Sequence, residues 1–454
     1  MKRKITDDLL RWKSNQTARK PLLLSGARQT GKTYTLREFG EQNYVNVVYI
    51  NLGSNRNAAA FFKRNIDPER TLEFLENESG IRIVPQETLV ILDDIHSCRT
   101  ALMTLKQFQS KKPEYHIAGI WNFTDNRNFS VPRDDAKVTN RIGQLSDAAV
   151  DPLYADYVDP LTIYPLDFEE YLLTLGEDRL CDLIKTAFEK NKALRSPMHS
   201  KALDLFRLYL VTGGMPGAVR EYTDTGSFDT VPDVQRRIME AYISDFSYSV
   251  SGVESKKTLA VYNSVPEQLA KENKKFQYRL VQKGGTAAVY SAAIDRLVRT
   301  GAVLRCNRIE EGYMPISSYR DYSAFKLYMN DVGLLTAQSG ISRHDILMTD
   351  ESGDSNHDGS IGFLSENYVV QALTCKKYDL YYWSNDGVAE VDFILRKGNK
   401  PVPVEVRTGT RSKSRSINLF NIKYKSSYSI RISESNFGYK NNVKSVPLYA
   451  VFCI

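Results

Sequence analysis

Apolar runs and helix-compatible stretches take turns along the first part of the chain. Pro21-Leu22-Leu23-Leu24-Ser25 predicts a strand, and Tyr34-Thr35-Leu36-Arg37-Glu38-Phe39 behind it is compatible with a helix. Val45-Asn46-Val47-Val48-Tyr49-Ile50 predicts a second strand. Leu89-Val90-Ile91-Leu92 has no polar break, which predicts a parallel strand buried on both faces. Tyr115-His116-Ile117-Ala118-Gly119-Ile120 predicts the strand after it. This βα rhythm is that of a parallel sheet, and it predicts a first domain over residues 1–210. Residues 123–160, rich in Asp, Asn, Arg and Pro, predict a long surface excursion within it. Asp167 predicts the N-cap of a helix over Phe168-Glu169-Glu170-Tyr171-Leu172-Leu173.

A second region is predicted over 211–340, opening at the turn Val211-Thr212-Gly213-Gly214-Met215-Pro216. Pro266–Glu272 reads as a short helix and Ala287–Arg299 as a longer one closed by Thr300-Gly301. In the longer helix Val289, Ala293 and Leu297, with Ile294 and Val298, fall on one face at helical spacing. Strands are predicted at Ala302–Arg305 and Phe325–Met329, and the whole order resembles a winged helix. A helix that reads a DNA groove presents basic or amide side chains, and this one offers Arg296 and Arg299. A packing module or lid is therefore the stronger reading. The polar residues 341–360 predict a linker, and 361–454 a compact α/β domain. There Glu366–Leu373 predicts a helix, and Asp379–Trp383, Glu390–Leu395 and Pro403–Arg407 predict strands, with a turn at Asn385-Asp386-Gly387.

The predicted first strand and helix enclose Gly26-Ala27-Arg28-Gln29-Thr30-Gly31-Lys32-Thr33, which fits G-x-x-x-x-G-K-[ST] at every fixed position. Strand, glycine turn and helix N-terminus is the order that aims backbone N–H groups at a phosphate. All eight residues are therefore candidates for binding ATP. Lys32 would reach the β- and γ-phosphates, and the Thr33 hydroxyl would ligate Mg2+. The run Leu89–Leu92 delivers Asp93-Asp94 at its end. In P-loop proteins the first acid holds the Mg2+, a role that falls to Asp93, and the next orients the attacking water. Asp94 takes that catalytic place, where Glu is common. Its side chain is one methylene shorter, a loss of reach of about 1.5 Å. Slow hydrolysis follows, or help from a neighbour such as His96.

A chain of 454 residues exceeds one hydrophobic core, so two or three domains are expected. The five cysteines (Cys98, Cys181, Cys306, Cys375, Cys453) are far apart, with no C-x-x-C pair, which argues for a reducing, cytoplasmic setting and against zinc. No apolar run has the length of a membrane helix. Charge is uneven. Residues 396–445 carry twelve Lys or Arg against Glu405 and Glu434, a balance of +10, whereas the whole chain is +7, leaving −3 for the rest. That field favours a polyanion such as nucleic acid at the C-terminal domain. The interleaved aromatics Phe420, Tyr424, Tyr428, Phe437 and Tyr439 either stack on it or point into the core.

Strand alternation puts Asp392 and Glu405 on paired strands, with Glu366 on a helix able to pack across them. Three converging acids could hold a metal, as in the nuclease core D…E-x-K, where the metal activates water. Arg407 stands where that pattern has Lys. It stays protonated, so it can clamp a phosphate but cannot take a proton from water.

The P-loop, LVILDDIH (89–96), YPLDFEEYL (164–172), VTGGMPGAV (211–219), SVPEQLAKENKKF (264–276), FKLYMNDVGLL (325–335), ENYVVQAL (366–373), EVDFIL (390–395) and VPLYAVF (446–452) occur in an order that resembles prokaryotic AAA-type ATPases with a C-terminal domain of unknown function, the DUF4143 type. The resemblance implies an AAA-like P-loop core, a winged helix and a restriction-endonuclease-like C-terminal domain. Family members typically carry Asp-Glu at Asp93-Asp94, Lys at Arg407, and a small polar sensor after the acid strand. This chain runs Ala118-Gly119-Ile120-Trp121-Asn122 there, which makes Asn122 the candidate sensor. The resemblance also allows a homo-oligomer or protein partner. Three functions remain: a nucleotide-controlled switch with slow Mg-dependent hydrolysis, an ATP-regulated metal-dependent nuclease, and a non-enzymatic nucleic-acid or protein-binding module that ATP stabilises.

Overall fold

The computed structural model describes residues 1–15, 17, 19–123, 156–248, 251–347, 355–385, 389–407 and 415–454. Most of the predicted excursion, part of the predicted linker, and Asp386 and Gly387 of the predicted turn lie outside the described residues. The chain divides into two compact units, Lys2–Tyr164 and Pro165–Ile454.

In the first unit a parallel sheet forms from β1 (Leu22–Gly26), β2 (Asn46–Asn51), β3 (Thr88–Asp93), β4 (His116–Asn122) and β5 (Asp159–Thr162), in the order β2-β3-β4-β1-β5. Helices α1 (Ile5–Ser14), α2 (Lys32–Asn43), α3 (Arg56–Arg64), α4 (Pro68–Ser79) and α5 (Arg99–Lys111) cover it. The period-two alternation of the strands sorts their side chains between two cores. Leu22, Leu24, Leu89, Ile91, Ala118 and Ile120 pack with Ile5, Leu9 and Trp12 of α1 and Leu36 and Phe39 of α2. Leu23, Val90, Leu92 and Ile117 pack on the other side with Phe62, Leu75, Leu102, Leu105 and Phe108. Burial on both faces explains why β3 reads as an unbroken apolar run. Because β4 lies between β1 and β3, Gly26 stands opposite Asn122, while Asn51 stands opposite Asp93 on the far side of β3.

The second unit has a main apolar core drawn from residues between Leu166 and Ile454, and a smaller one that includes Ile309, Trp383, Val391 and Phe420. Asp167 caps its first helix, Phe168–Thr174, accepting from the Glu170 N–H at 2.9 Å while Glu170 Oε2 accepts from the Asp167 N–H. Two sheets follow. The strands β6 (Val303–Ile309) and β7 (Arg320–Met329) pair as a hairpin, and β8 (Tyr381–Asn385) joins β6 in parallel with β9 (Ala389–Val391) at the edge. The other sheet takes β10 (Phe393–Lys397), β11 (Lys400–Val406), β12 (Ser429–Ser433), β13 (Gly438–Lys440) and β14 (Val443–Pro447) in the order β10-β11-β12-β14-β13.

Some helices differ from the pattern-based expectation. The helix Gly252–Leu269 passes through Pro266. The Tyr262 carbonyl, which Pro266 has no N–H to reach, accepts instead from Gln338 Nε2 at 3.5 Å. The helix predicted over 366–373 spans Ser355–Cys375. In the helix Ala287–Arg299, Val289 is exposed and Tyr290 takes the inward place. Arg296 is 1% exposed and donates to Thr258 Oγ1 at 2.6 Å, so it is not offered to a groove. The exposed positions are Ala287, Ala288, Val289, Ser291, Ala292, Asp295 and Arg299, a surface poor in groups that read bases.

Asp331 ties distant segments of this unit together. Its carboxylate accepts from the Gly214 N–H at 2.6 Å, the Leu334 N–H at 3.0 Å and Gln371 Nε2 at 3.4 Å. Gly213 and Gly214 are required beside it. A Cβ at Gly213 would stand 2.2 Å from Asp331 Oδ1, and one at Gly214 would stand 2.0 Å from the Leu166 carbonyl. Burial raises the Asp331 carboxyl to about 6 against the pull of these donors. Asp331→Ala strands the donors and removes the N-cap of Val332–Ser339. It is expected to cost about 2–4 kcal/mol in urea unfolding of the second unit.

Candidate functional site

The loop after β1 is forced into its curl. Gly26 has φ 159°, and a Cβ there would lie 2.4 Å from the Ile163 carbonyl oxygen. Gln29 and Gly31 have φ of 65° and 90°, and α2 then starts at Lys32. Gly31 offers no capping side chain and the first turn of α2 holds no acid, an arrangement in which the positive helix end suits an anion. Ala27 is buried, Arg28 and Gln29 are exposed, and the buried Thr30 hydroxyl donates to the Ala27 carbonyl at 2.9 Å. Lys32 is 4% exposed, its Nζ donating to the carbonyls of Gly26 at 3.1 Å and Ala27 at 2.6 Å.

Both acids arrive at the same sheet edge. Asp93 Oδ2 accepts from the Thr33 hydroxyl and the Tyr49 hydroxyl, each at 2.8 Å, and Oδ1 accepts from the Asp94 N–H at 2.7 Å. Burial and the bond to Asp93 push the Tyr49 phenol up to about 12. Asp94 has φ 52°; its Oδ1 accepts from Asn122 Nδ2 at 2.6 Å and its Oδ2 from Asn51 Nδ2 at 3.2 Å. His96 Nδ1 lies 4.0 Å from Asp94 Oδ1. Burial lowers the pKa of that imidazole, opposed by Asp94 and helped by Arg28 and Lys32. Thr33 and Asp93 present two hard oxygens at one point, the donor type and small protein-ligand number that suit Mg2+. The structure thus brings Lys32, Thr33, Asp93, Asp94 and Asn122 to one place. Tyr49 and Asn51 were not singled out from sequence; the only available signal was their position at the end of the second predicted strand.

The C-terminal acids are disposed differently. Glu366 is buried, paired with Lys274, accepts from the Tyr328 hydroxyl at 2.5 Å, and lies 3.5 Å from Lys326 Nζ. Burial would raise its carboxyl, but the two lysines outweigh that and hold it down to about 2. Asp392 accepts from the Val406 N–H at 2.8 Å; burial, then the charge of Glu366, push it up to about 7. Glu405 accepts from Arg407 Nη2 at 2.5 Å and lies 3.8 Å from Arg431. Among the described residues, no group of three or more His, Cys, Asp or Glu is disposed to hold a metal ion.

Of the aromatics interleaved with the basic stretch, Phe420, Tyr424 and Phe437 are buried, Tyr428 is partly buried, and Tyr439 is exposed. The inward-pointing alternative describes Phe420, Tyr424 and Phe437, but not Tyr439. Several cations are engaged: Lys423 with Glu311, Lys444 with the Phe188 carbonyl, and Arg407 with Glu405. Arg396, Lys400, Arg415, Lys425 and Lys440 are exposed. No described helix is long and apolar enough to cross a membrane.

Residues 18–119 match the family described as AAA domain. Residues 203–345 and 361–451 match two families described as domains of unknown function, DUF8612 and DUF4143. No curated protein matches the chain. It is similar to the solved structure of AMPPCP-bound DnaA from Aquifex aeolicus, at 14% identity over 64% of this chain and 84% of that one. The TM-score is 0.26, too loose a superposition to bear on the site.

The pH response of the second unit follows from Asp392. A carboxyl whose pKa is higher folded than unfolded takes up a proton on folding. Its contribution is full below about 4 and is lost as pH climbs through about 7. Asp392→Asn keeps an acceptor for the Val406 N–H and removes the charge. Thermal melts should show it more stable than wild type at pH 8, by about 1–3 kcal/mol, with the gain fading by pH 5.

Proposed function

Given an AAA domain over residues 18–119 followed by a DUF4143 domain over 361–451, we propose that this protein binds ATP with Mg2+ and hydrolyses it slowly, its nucleotide state acting as a switch. The observation that carries the reading is the junction at the sheet edge. The Thr33 hydroxyl meets Asp93 at 2.8 Å, directly beside a helix start whose N–H groups and Lys32 ammonium converge on the loop. The N–H groups of the loop and first helical turn hold the phosphates, and Lys32 supplies the compensating charge. Thr33 and Asp93 hold the metal, which when bound would neutralise charge developing on the phosphoryl oxygens. Asp94 positions the attacking water, and Asn122 and Asn51 restrain it until the nucleotide rearranges the edge.

The acids of the second unit are read as a packing network. Glu366 is matched by Lys274 and Lys326 and Glu405 by Arg407, which supports structure over metal-dependent cleavage. The exposed cations of 396–440 support a polyanionic partner, and the electrostatic reading makes its binding steeply salt-dependent.

Two substitutions test the ATPase reading. Lys32→Ala is expected to abolish nucleotide binding in calorimetry with Mg2+ and a non-cleavable triphosphate. Asp94→Asn should keep that binding and lower phosphate release by about 10²–10⁴-fold. Binding that survives Lys32→Ala unchanged would overturn it.

A further inference from the structure

The first unit has a second concave site, at the edge of the sheet opposite the phosphate loop. A cavity of about 650 Å³ is lined by residues that include Lys13 of α1, Arg19, Asn43 at the end of α2, Gln86, Glu114 and His116 at the start of β4. The volume is that of a small-molecule pocket. β4 runs from His116 here to Asn122 at the other edge, a separation of roughly 20 Å at the rise of an extended strand.

His116 gives the cavity its chemistry. It is 3% exposed, its Nδ1 is paired with the Tyr44 hydroxyl at 2.6 Å, and its Nε2 is buried with no hydrogen-bond partner. Burial, then Arg19 and Lys13, push the imidazole down to about 4, so the ring is neutral at pH 7. A phenol is the stronger acid of the pair and donates to Nδ1, which leaves the hydrogen on Nε2 as an unanswered donor. Buried donors of this kind are rare unless something answers them.

The charges around it have the sign to supply that answer. Lys13 Nζ donates to the Asn43 carbonyl and lies 4.3 Å from the centre of the Tyr44 ring. Arg19 donates to the carbonyls of Lys13 at 3.4 Å and Pro113 at 3.1 Å. Both cations are therefore held at the cavity by backbone acceptors, which carry no formal charge of their own. Glu114 is the acid of the lining, and Asp159, bonded to the Lys20 N–H, acts on Arg19 from outside it. Within the lining itself two cations, the Asn43 and Gln86 amides and a buried N–H outweigh one carboxylate, with Asp159 acting on Arg19 from outside it.

We propose that this cavity binds a small organic oxyanion, phosphorylated or carboxylated, with Arg19 and Lys13 matching its charge and His116 Nε2 donating to one of its oxygens. The site is separate from the phosphate loop and does not depend on the ATPase reading.

The test uses the full chain carrying Lys32→Ala, which removes the phosphate affinity of the loop without filling it. Calorimetry with inorganic phosphate, pyrophosphate and citrate is expected to detect binding of at least one. Arg19→Gln and Lys13→Gln, both at partly exposed positions and checked for folding by their melts without ligand, should each weaken it about ten- to a hundredfold, the worth of one charge-assisted hydrogen bond. Phosphate or pyrophosphate binding without citrate assigns a phosphoryl ligand, and the reverse a carboxylate. No heat from any of the three, or binding that both substitutions leave unchanged, overturns the proposal.

Discussion

The hydroxyl of Thr33 donating to Asp93 holds the first unit in its working arrangement. Thr33 lies at the start of α2 behind β1 and Asp93 ends β3, two strands that are not neighbours, since β4 separates them. A parallel sheet sends all its strand ends to one edge, so a loop, a pair of acids and an amide can meet there from three positions in the sequence. A carboxylate as buried as Asp93 is costly unless donors surround it. It has three, from Thr33, Tyr49 and the backbone of Asp94. Asp93 thereby fixes the start of α2 relative to β3, and with it the place of Lys32. The same carboxylate that would hold a metal is thus already a structural clasp.

What could be read from sequence here was whatever local physics decides. The glycines of the P-loop carry their meaning at fixed spacing, because only backbone with room to curl passes Ile163 at 2.4 Å from a virtual Cβ. The run Leu89–Leu92 announced a strand covered on both faces, and its two cores confirm why. Asp167 was legible as a cap for the same reason: its partner Glu170 is three residues away. Tyr49 and Asn51 were not legible as site residues. Their role comes from register across β2 and β3, a non-local pairing that no single-chain pattern specifies. His116 was read only as part of a strand, since the partner that orients it, Tyr44, lies 72 residues away.

In the second unit, segments recognisable only by their order in the chain turn out to share contacts. Leu166, Gly213, Gly214, Asp331 and Gln371 meet at one buried carboxylate. Such a knot needs particular small and polar residues at each point. The acids Glu366, Asp392 and Glu405 show the opposite risk. Their types and strand positions suggest a metal site, but Lys274 and Lys326 pair with Glu366 and Arg407 with Glu405, so two of the acids have cationic partners. A motif names side chains, and two of the cations that neutralise them, Lys274 and Lys326, arrive from elsewhere in the fold.

Asp94 is where sequence and geometry bear together on the proposed turnover. Its φ of 52° is a left-handed conformation that a non-glycine residue keeps only when its surroundings dictate it. Asn122 and Asn51 dictate it, one amide on each carboxylate oxygen, from the two strands flanking β3. A Cβ at Gly53 would lie 2.9 Å from Oδ2, so the carboxylate is closely walled on that side as well. A glutamate would carry its oxygens about one C–C bond further, past the reach of amides set by strand register. The shorter acid fits between them and is held. On the proposed ATPase reading, slow hydrolysis would be a property of the clasp as much as of the missing methylene, because the group proposed to turn to a water is the group the two asparagines bind.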